Sequence, residues 1–186
     1  IESFDSPLQN IGGENNAFTS NDITNYYITL PKENWETALW LESDRMLSLA
    51  FSEKSLEVQR QVVIEEFKQR YLNQPYGDAM MLLRDLAYLI HPYKWATIGK
   101  ELSHIENASL HEVKDFFQKY YNPNNAILSI AGDLEFENVK LLVEKWFGSI
   151  NKGRKNLNNY RQEPLQREPR RKQALRDVPL DAIYIA

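Results

Sequence analysis

The sequence GGENNAFTSNDITNYY, residues 12–27, is compatible with either a polar loop or an exposed strand. The overlapping stretch ITNYYITLP is rich in Ile, Thr and Tyr and ends at Pro31, which is typical of a β-strand. Asn21 and Asp22 favour a turn ahead of it, and NNAFTS supplies a strand before that turn. We therefore predict two strands joined near Asn21-Asp22, with Tyr26 and Tyr27 as packing residues.

The remainder of the chain predicts helices that are largely separated from strands. Apolar residues at helical spacing predict helices over residues 32–50, 52–72, 75–90, 109–121 and 135–147. Two apolar runs predict a buried strand over residues 126–134 and a final strand over 181–186. This order predicts an α+β fold, in which an antiparallel sheet carries helices mainly on one face.

Composition limits the possible functions. A length of 186 residues fits a single domain over 1–186, with an exposed basic loop over 151–173. The net charge of −4 argues against nucleic acid as a partner, and no apolar run is long enough for a membrane span. The absence of cysteine excludes disulfides, Cys-ligated zinc and a thiol nucleophile. The chain starts without methionine and stops inside an apolar run, so we expect a partial domain from a larger protein.

The predicted helix over residues 52–72 contains two adjacent glutamates in different settings. At about 100° per residue, an apolar stripe faces the core and Glu65 lies nearly opposite it. The stripe consists of Leu56, Val63, Phe67 and Tyr71. Glu66 lies on the shoulder of the stripe, about 90° from its centre. Periodicity alone leaves two interpretations open for Glu66: a surface glutamate paired with a neighbour, or a metal or catalytic carboxylate.

The spacing of the histidines predicts no zinc-binding pair that could join Glu66. His91, His104 and His111 include no pair at the i, i+4 spacing that places two imidazoles on one helical face for zinc. The chain also contains no nucleophile elbow, phosphate loop or dinucleotide fingerprint. We expect all three histidines to be surface or structural residues.

Several motifs, taken in order, resemble the pitrilysin/insulinase family of zinc metallopeptidases, which includes the mitochondrial processing peptidases. GGENNAFTSNDITNYY resembles the segment after the family's zinc-binding helix, and VQRQVVIEEFKQRYLNQPYG resembles the later helix that supplies a third zinc ligand. HPYKWATIGK, YYNPNNAILSIAGDL and KWFGSI resemble later parts of the same N-terminal half-domain. The resemblance covers about residues 7–150.

The resemblance implies a zinc site in the whole protein. The family's HxxEH motif supplies two histidine ligands and the general-base glutamate. That motif is absent here and is expected just upstream of Ile1, so no catalytic residue is expected within this chain. Alignment of Arg60 and the apolar run after it makes Glu66 the expected metal ligand. Gln59 falls on a position where relatives carry a second carboxylate, and we expect it to act indirectly on the site.

The resemblance also implies a peptide substrate that adds to the first strand, with Asn16 and Ala17 as substrate-binding residues. It implies a second homologous half-domain as a partner, in the same chain or another subunit. The expected function is that of a zinc metalloendopeptidase fragment, inactive alone because it lacks HxxEH. The alternative is a non-catalytic member that binds peptides or supports a partner. Bacterial relatives suggest a cell-envelope or periplasmic location.

Overall fold

The computed structural model describes residues 4–47, 50, 52–154 and 159–186. Their contacts group into two compact units, Ile1–Phe51 with His111–Leu157 and Ser52–Leu110 with Asn158–Ala186. Two such units can belong to one domain, so the single partial domain over residues 1–186 stays a prediction. We call them the hairpin unit and the helical unit and describe each by itself.

The described residues form the strands β1 (Glu14–Thr19) and β2 (Thr24–Thr29) and seven α-helices. The helices are α1 (Asp5–Asn10), α2 (Trp35–Leu47), α3 (Glu53–Phe67), α4 (Ala79–Ala87), α5 (Leu102–Glu106), α6 (Leu110–Tyr120) and α7 (Phe136–Phe147). The predicted α+β class is confirmed. No helix within the described ranges combines the length and the apolar character that a membrane crossing requires.

The predicted hairpin is confirmed. β1 and β2 pair in antiparallel register, with Ala17 opposite Tyr26. The amide of Ser20 donates to the carbonyl of Ile23 at 2.8 Å, which closes the turn around Asn21 and Asp22. Tyr26 packs as predicted, but the prediction for Tyr27 is wrong, since Tyr27 is 47% exposed. Side chains alternate between the two faces of a strand, so adjacent tyrosines point in opposite directions.

Two predicted strands are wrong. Residues 126–134 and 181–186 form neither strand nor helix, and Ile127 is 97% exposed and Ile183 87% exposed. A strand exists only where its backbone groups pair with a second strand. Within the ranges that the structure describes, no strand pairs with either segment.

The predicted helices lie close to the observed ones, but their ends agree less well. The predicted helix over 75–90 is shortened to Ala79–Ala87. Tyr76 has a φ of 61°, a left-handed conformation that an α-helix cannot contain. The helix over 52–72 is α3 as far as Phe67 and then one π-helical turn over Lys68–Leu72. The short helix α5 was not predicted.

A tyrosine pair links the hairpin to Tyr121, the residue that directly follows α6, within the hairpin unit. The hydroxyls of Tyr26 and Tyr121 lie 2.5 Å apart. The guanidinium of Arg45 lies over the Tyr26 ring at 4.2 Å, and Phe117 stacks on Tyr121 at 4.9 Å between ring centroids. Burial, followed by the hydrogen bond to Tyr26, raises the pKa of Tyr121. The phenol therefore stays neutral and can donate or accept this hydrogen bond.

A carboxylate attaches the C-terminal segment to the rest of the helical unit. Glu163 accepts hydrogen bonds from the backbone amides of Leu89, Ile90 and His91 at 2.6, 2.9 and 2.8 Å. Burial acts to raise the pKa of Glu163, but these three amides and the charge of Arg170 outweigh it and lower the pKa. Residues 151–154 and 159–173, inside the predicted basic loop, contain no helix or strand and are mainly exposed.

We expect Tyr121→Phe to lower the free energy of unfolding by about 1 kcal/mol, because it removes one partly buried hydrogen bond while keeping the stacked ring. Tyr27→Phe is the matched control, since Tyr27 is an exposed tyrosine on the same hairpin. Urea unfolding of both variants checks the prediction. Equal stability of the two variants would contradict a stabilising role for the pair.

We expect the attachment at Glu163 to weaken in acid. The pKa of Glu163 is lower in the folded chain than its reference value of 4.5. Its contribution is therefore present above pH 4.5 and is lost as the pH falls through the lowered folded pKa. Amide exchange at Leu89–His91, measured against pH, should show this acid step in the parent and in Glu168→Gln. The step should be absent in Glu163→Gln, and its persistence there would assign it to another group.

Candidate metal and peptide site

The carboxylate of Glu66 is presented from a well-defined helix. Ser52 caps α3 by accepting from the Ser55 amide at 3.1 Å, and the Ser55 hydroxyl accepts from the Ser52 amide at 3.0 Å. Caps of this kind satisfy amides that the first helical turn leaves without partners. The sequence therefore determines where α3 begins and, with it, the direction of every side chain on the helix.

The inward face of α3 matches the predicted stripe, with one addition. All four predicted residues, Leu56, Val63, Phe67 and Tyr71, are half-buried or buried. Ile64 is 6% exposed and also belongs to this face. Because Ile64 and Phe67 are the two buried residues of α3, the inward direction runs between them.

The adjacent glutamates differ less than predicted, because the buried Ile64 turns the inward direction of α3 away from Glu66 and leaves both carboxylates about 130° from it. Glu65 is 57% exposed and pairs with Lys68 at 2.8 Å. Glu66 is 42% exposed and pairs with Arg70 at 3.0 Å across one helical turn. Half-exposed ion pairs of this kind contribute about 0–1 kcal/mol, so the pair with Arg70 can exchange for another partner. The two glutamates border an open surface depression lined by Gln61, Val62, Glu65, Glu66, Gln69 and Arg70.

Arg60, whose contacts the sequence did not predict, fixes α3 to the end of α5. One guanidinium nitrogen donates to the carbonyls of Ile105 and Glu106, and a second donates to the carbonyl of Ala108, each at 2.7 Å. The Arg60 side chain is only 14% exposed, and its Nε also donates to Glu57 at 3.0 Å. The last carbonyls of a helix lack helical partners, so a buried cation there satisfies them and complements the helix dipole.

Gln59, His104 and His111 are exposed, and His91 is half-buried. Gln59 lies on α3 two turns before Glu66 and is exposed to solvent. His91 accepts from the Tyr93 amide at 3.2 Å and caps a short helical turn, while His104 lies in α5, outside the predicted helices. His111, at the start of α6, is 82% exposed and lies 3.4 Å from Asp115. None of these contacts joins a histidine to Glu66.

The side chains present do not complete a metal site. Among the residues that the structure describes, no group of three His, Cys, Asp or Glu side chains could hold a metal ion. Structural zinc sites take four protein ligands, and catalytic sites take three. One carboxylate does not fit zinc by itself, so a zinc site that includes Glu66 needs further ligands.

Asn16 and Ala17 lie on β1 in the hairpin unit, and all six residues of this strand are exposed. The Asn16 side-chain oxygen accepts from the Ala17 amide at 2.8 Å. On the same strand, Asn15 donates to Asp5 at 2.7 Å. The strand thus presents polar groups to solvent, and the small Ala17 side chain leaves its backbone accessible.

Two family profiles match this chain in sequence order. The profile described as Insulinase (Peptidase family M16) matches residues 2–98. The profile described as Peptidase M16 inactive domain matches residues 107–186. The matched ranges include the hairpin, α3 and α7.

Individual proteins and structures give the same result. Zinc protease PqqE of Helicobacter pylori is 37% identical over 169 residues, which are 88% of this chain and 37% of that protein. An uncharacterized zinc protease of Bacillus subtilis, YmxG, is 35% identical over 80% of this chain and 34% of its own length. The crystal structure of a protease from Helicobacter pylori superposes with a TM-score of 0.81 at 36% identity, covering 87% of this chain and 39% of that one. The chain thus spans little more than a third of the length of these relatives, and the resemblance seen in the motifs is confirmed.

We expect Arg60→Lys to lower the free energy of unfolding by about 2 kcal/mol, because an ammonium group cannot reproduce several guanidinium hydrogen bonds to fixed carbonyls. Arg70→Lys is the matched control on the same helix and should change stability by less than about 0.5 kcal/mol. Chemical denaturation followed by circular dichroism measures both effects. Similar losses in the two variants would show that the α5 carbonyls do not depend on Arg60.

Proposed function

Because this chain belongs to the insulinase family of peptidases, peptidase family M16, we propose that it is part of a zinc-dependent endopeptidase that hydrolyses peptides or unfolded segments. The names of the similar proteins support a zinc protease, and the motif order supports the N-terminal half. A second homologous half-domain, in the same chain or in another subunit, is the proposed partner. The proposal for this chain concerns two features, Glu66 and the edge of β1.

The setting of Glu66 is the observation that carries the proposal. Its carboxylate lines an open depression and is less exposed than that of Glu65, and its present partner Arg70 is largely exposed. A zinc ion, when bound, supplies a Lewis acid that polarises a carbonyl and activates water. We assign Glu66 as the carboxylate ligand of that ion in the whole protein. Gln59, on the same helix, would act on the ligand set indirectly through hydrogen bonds without adding charge.

The substrate would lie along β1. A peptide that adds to a strand edge is held mainly by main-chain hydrogen bonds, so it binds with little dependence on its sequence. β1 is exposed along its whole length and has β2 on one side. Ala17 leaves room for the approach of a peptide backbone, and the Asn16 amide can reach a peptide carbonyl.

In isolation the 186-residue chain should have no peptidase activity. Its sequence contains no HxxEH motif, and the described residues offer no cluster of three ligands. A single carboxylate binds zinc weakly, because tight sites combine several charged or imidazole ligands.

A second candidate function is a non-catalytic member of the family that binds peptides or supports a partner subunit. Two observations favour it: Gln59 replaces a carboxylate of the family pattern, and the profile that matches residues 107–186 is described as an inactive domain. The HxxEH region of the full-length sequence decides between the two. An intact HxxEH supports the enzyme, and a broken one supports the binding protein.

We expect Glu66→Gln in the full-length protein to abolish stoichiometric zinc binding and to lower kcat/KM at least about a hundredfold, because it removes an anionic ligand. Glu65→Gln is the control, since it removes the adjacent charge from the solvent side and should leave both quantities within about twofold. Metal analysis together with a peptide cleavage assay gives both readouts. Loss of zinc in Glu65→Gln instead would transfer the ligand role to Glu65.

We also expect the 186-residue chain to lose added zinc on dialysis, because one carboxylate cannot retain the ion. Atomic absorption after exhaustive dialysis measures the retained metal. Stoichiometric zinc on this chain would contradict the account, since it would require a complete ligand set within these residues.

A further inference from the structure

The backbone groups of β1 that point away from β2 are identified by the register of the hairpin. The hydrogen bond from Ser20 to Ile23 makes these two residues a hydrogen-bonded pair at the turn. Hydrogen-bonded and non-hydrogen-bonded pairs alternate along an antiparallel ladder. Thr19 with Thr24 and Ala17 with Tyr26 are therefore non-hydrogen-bonded pairs. The amide and carbonyl of Ala17 consequently point to the outer edge of the strand.

The side chains agree with this register. The hydroxyls of Thr19 and Thr24 lie 3.2 Å apart, as expected for a non-hydrogen-bonded pair, in which facing side chains are closer. The Ala17 amide, which β2 does not use, donates to the Asn16 side-chain oxygen at 2.8 Å. The outward amide of Ala17 is thus occupied by a side chain of its own strand.

We propose that Asn16 is a displaceable cap, which occupies the outward amide of Ala17 until an extended peptide takes its place. An exposed strand edge is a template for non-specific pairing with other chains, and proteins protect such edges. A side-chain cap protects the edge at low cost, because one exposed hydrogen bond is exchanged for another when a peptide arrives. The displaced Asn16 carboxamide is then free to contact that peptide. This inference rests on the proposed docking of peptide at β1.

Asn16 differs in this respect from the asparagine beside it. Asn15 bonds to the Asp5 carboxylate, 10 positions earlier in the chain, and so joins two segments. The side-chain oxygen of Asn16 accepts from the amide of the next residue, Ala17, which is the amide that a docking peptide needs. Asn15→Ala is therefore a control that removes an asparagine from β1 while keeping the cap.

The test is the solvent exchange rate of the Ala17 amide in the full-length protein, labelled with ¹⁵N at alanine and measured by NMR. Asn16→Ala should raise this rate about three- to tenfold, as expected for loss of one exposed hydrogen bond. Asn16→Asp should keep the slow rate because a carboxylate oxygen also accepts, and Asn15→Ala should keep it because the cap remains. An unchanged rate in Asn16→Ala would overturn the cap and leave the docking of peptide at β1 standing.

The displacement step is tested by adding a capped peptide of alternating threonine and alanine, about ten residues long, to chelator-treated protein. Saturating peptide should slow Ala17 exchange to the same rate in the parent and in Asn16→Ala, because the peptide carbonyl replaces the Asn16 oxygen. Slowing in Asn16→Ala alone would mean that the cap is never displaced and would overturn the inference. If exchange slows in neither protein, peptide docking at β1 is wrong, and the displacement step fails with it.

Discussion

The three hydrogen bonds from the guanidinium of Arg60 to the carbonyls of Ile105, Glu106 and Ala108 are the constraint on which the helical unit depends. They join the middle of α3 to carbonyls at and just after the end of α5, where helical hydrogen bonding stops. With its N-terminus capped by Ser52, α3 is held at both its start and its middle. The contacts of Arg60 and Ser52 therefore fix the position of Glu66 on α3, and no bound metal is needed for this.

A comparable constraint acts on β1 in the hairpin unit. The register against β2 decides which backbone groups point outward, and the tight turn at Ser20–Ile23 sets that register. A shift by one residue would turn the Ala17 amide toward β2 and reverse the faces of all the side chains. The Tyr26–Tyr121 contact ties β2 to the residue that follows α6, so the hairpin has a fixed support while the residues of β1 stay exposed.

The features that the sequence predicted correctly depend on local interactions. The hairpin follows from an Asn-Asp turn between β-prone runs, and the half-buried or buried stripe of α3 follows from helical periodicity. The strands at 126–134 and 181–186 could not be predicted from their apolar character, because a strand also needs a partner and the described residues offer none. The contacts of Arg60 span 45 to 48 positions, and the cap from Asn16 depends on a side-chain rotamer. Neither leaves a periodic signal in the sequence.

The assignment of Glu66 to the metal is the central claim, and the structure of the full-length, zinc-loaded protein tests it most directly. Diffraction data collected on both sides of the zinc absorption edge locate the ion independently of any assumed ligand. We expect an anomalous peak about 2.0–2.2 Å from a carboxylate oxygen of Glu66, the usual distance for a zinc-bound carboxylate. A peak coordinated without Glu66, with its carboxylate still paired to Arg70, would contradict it.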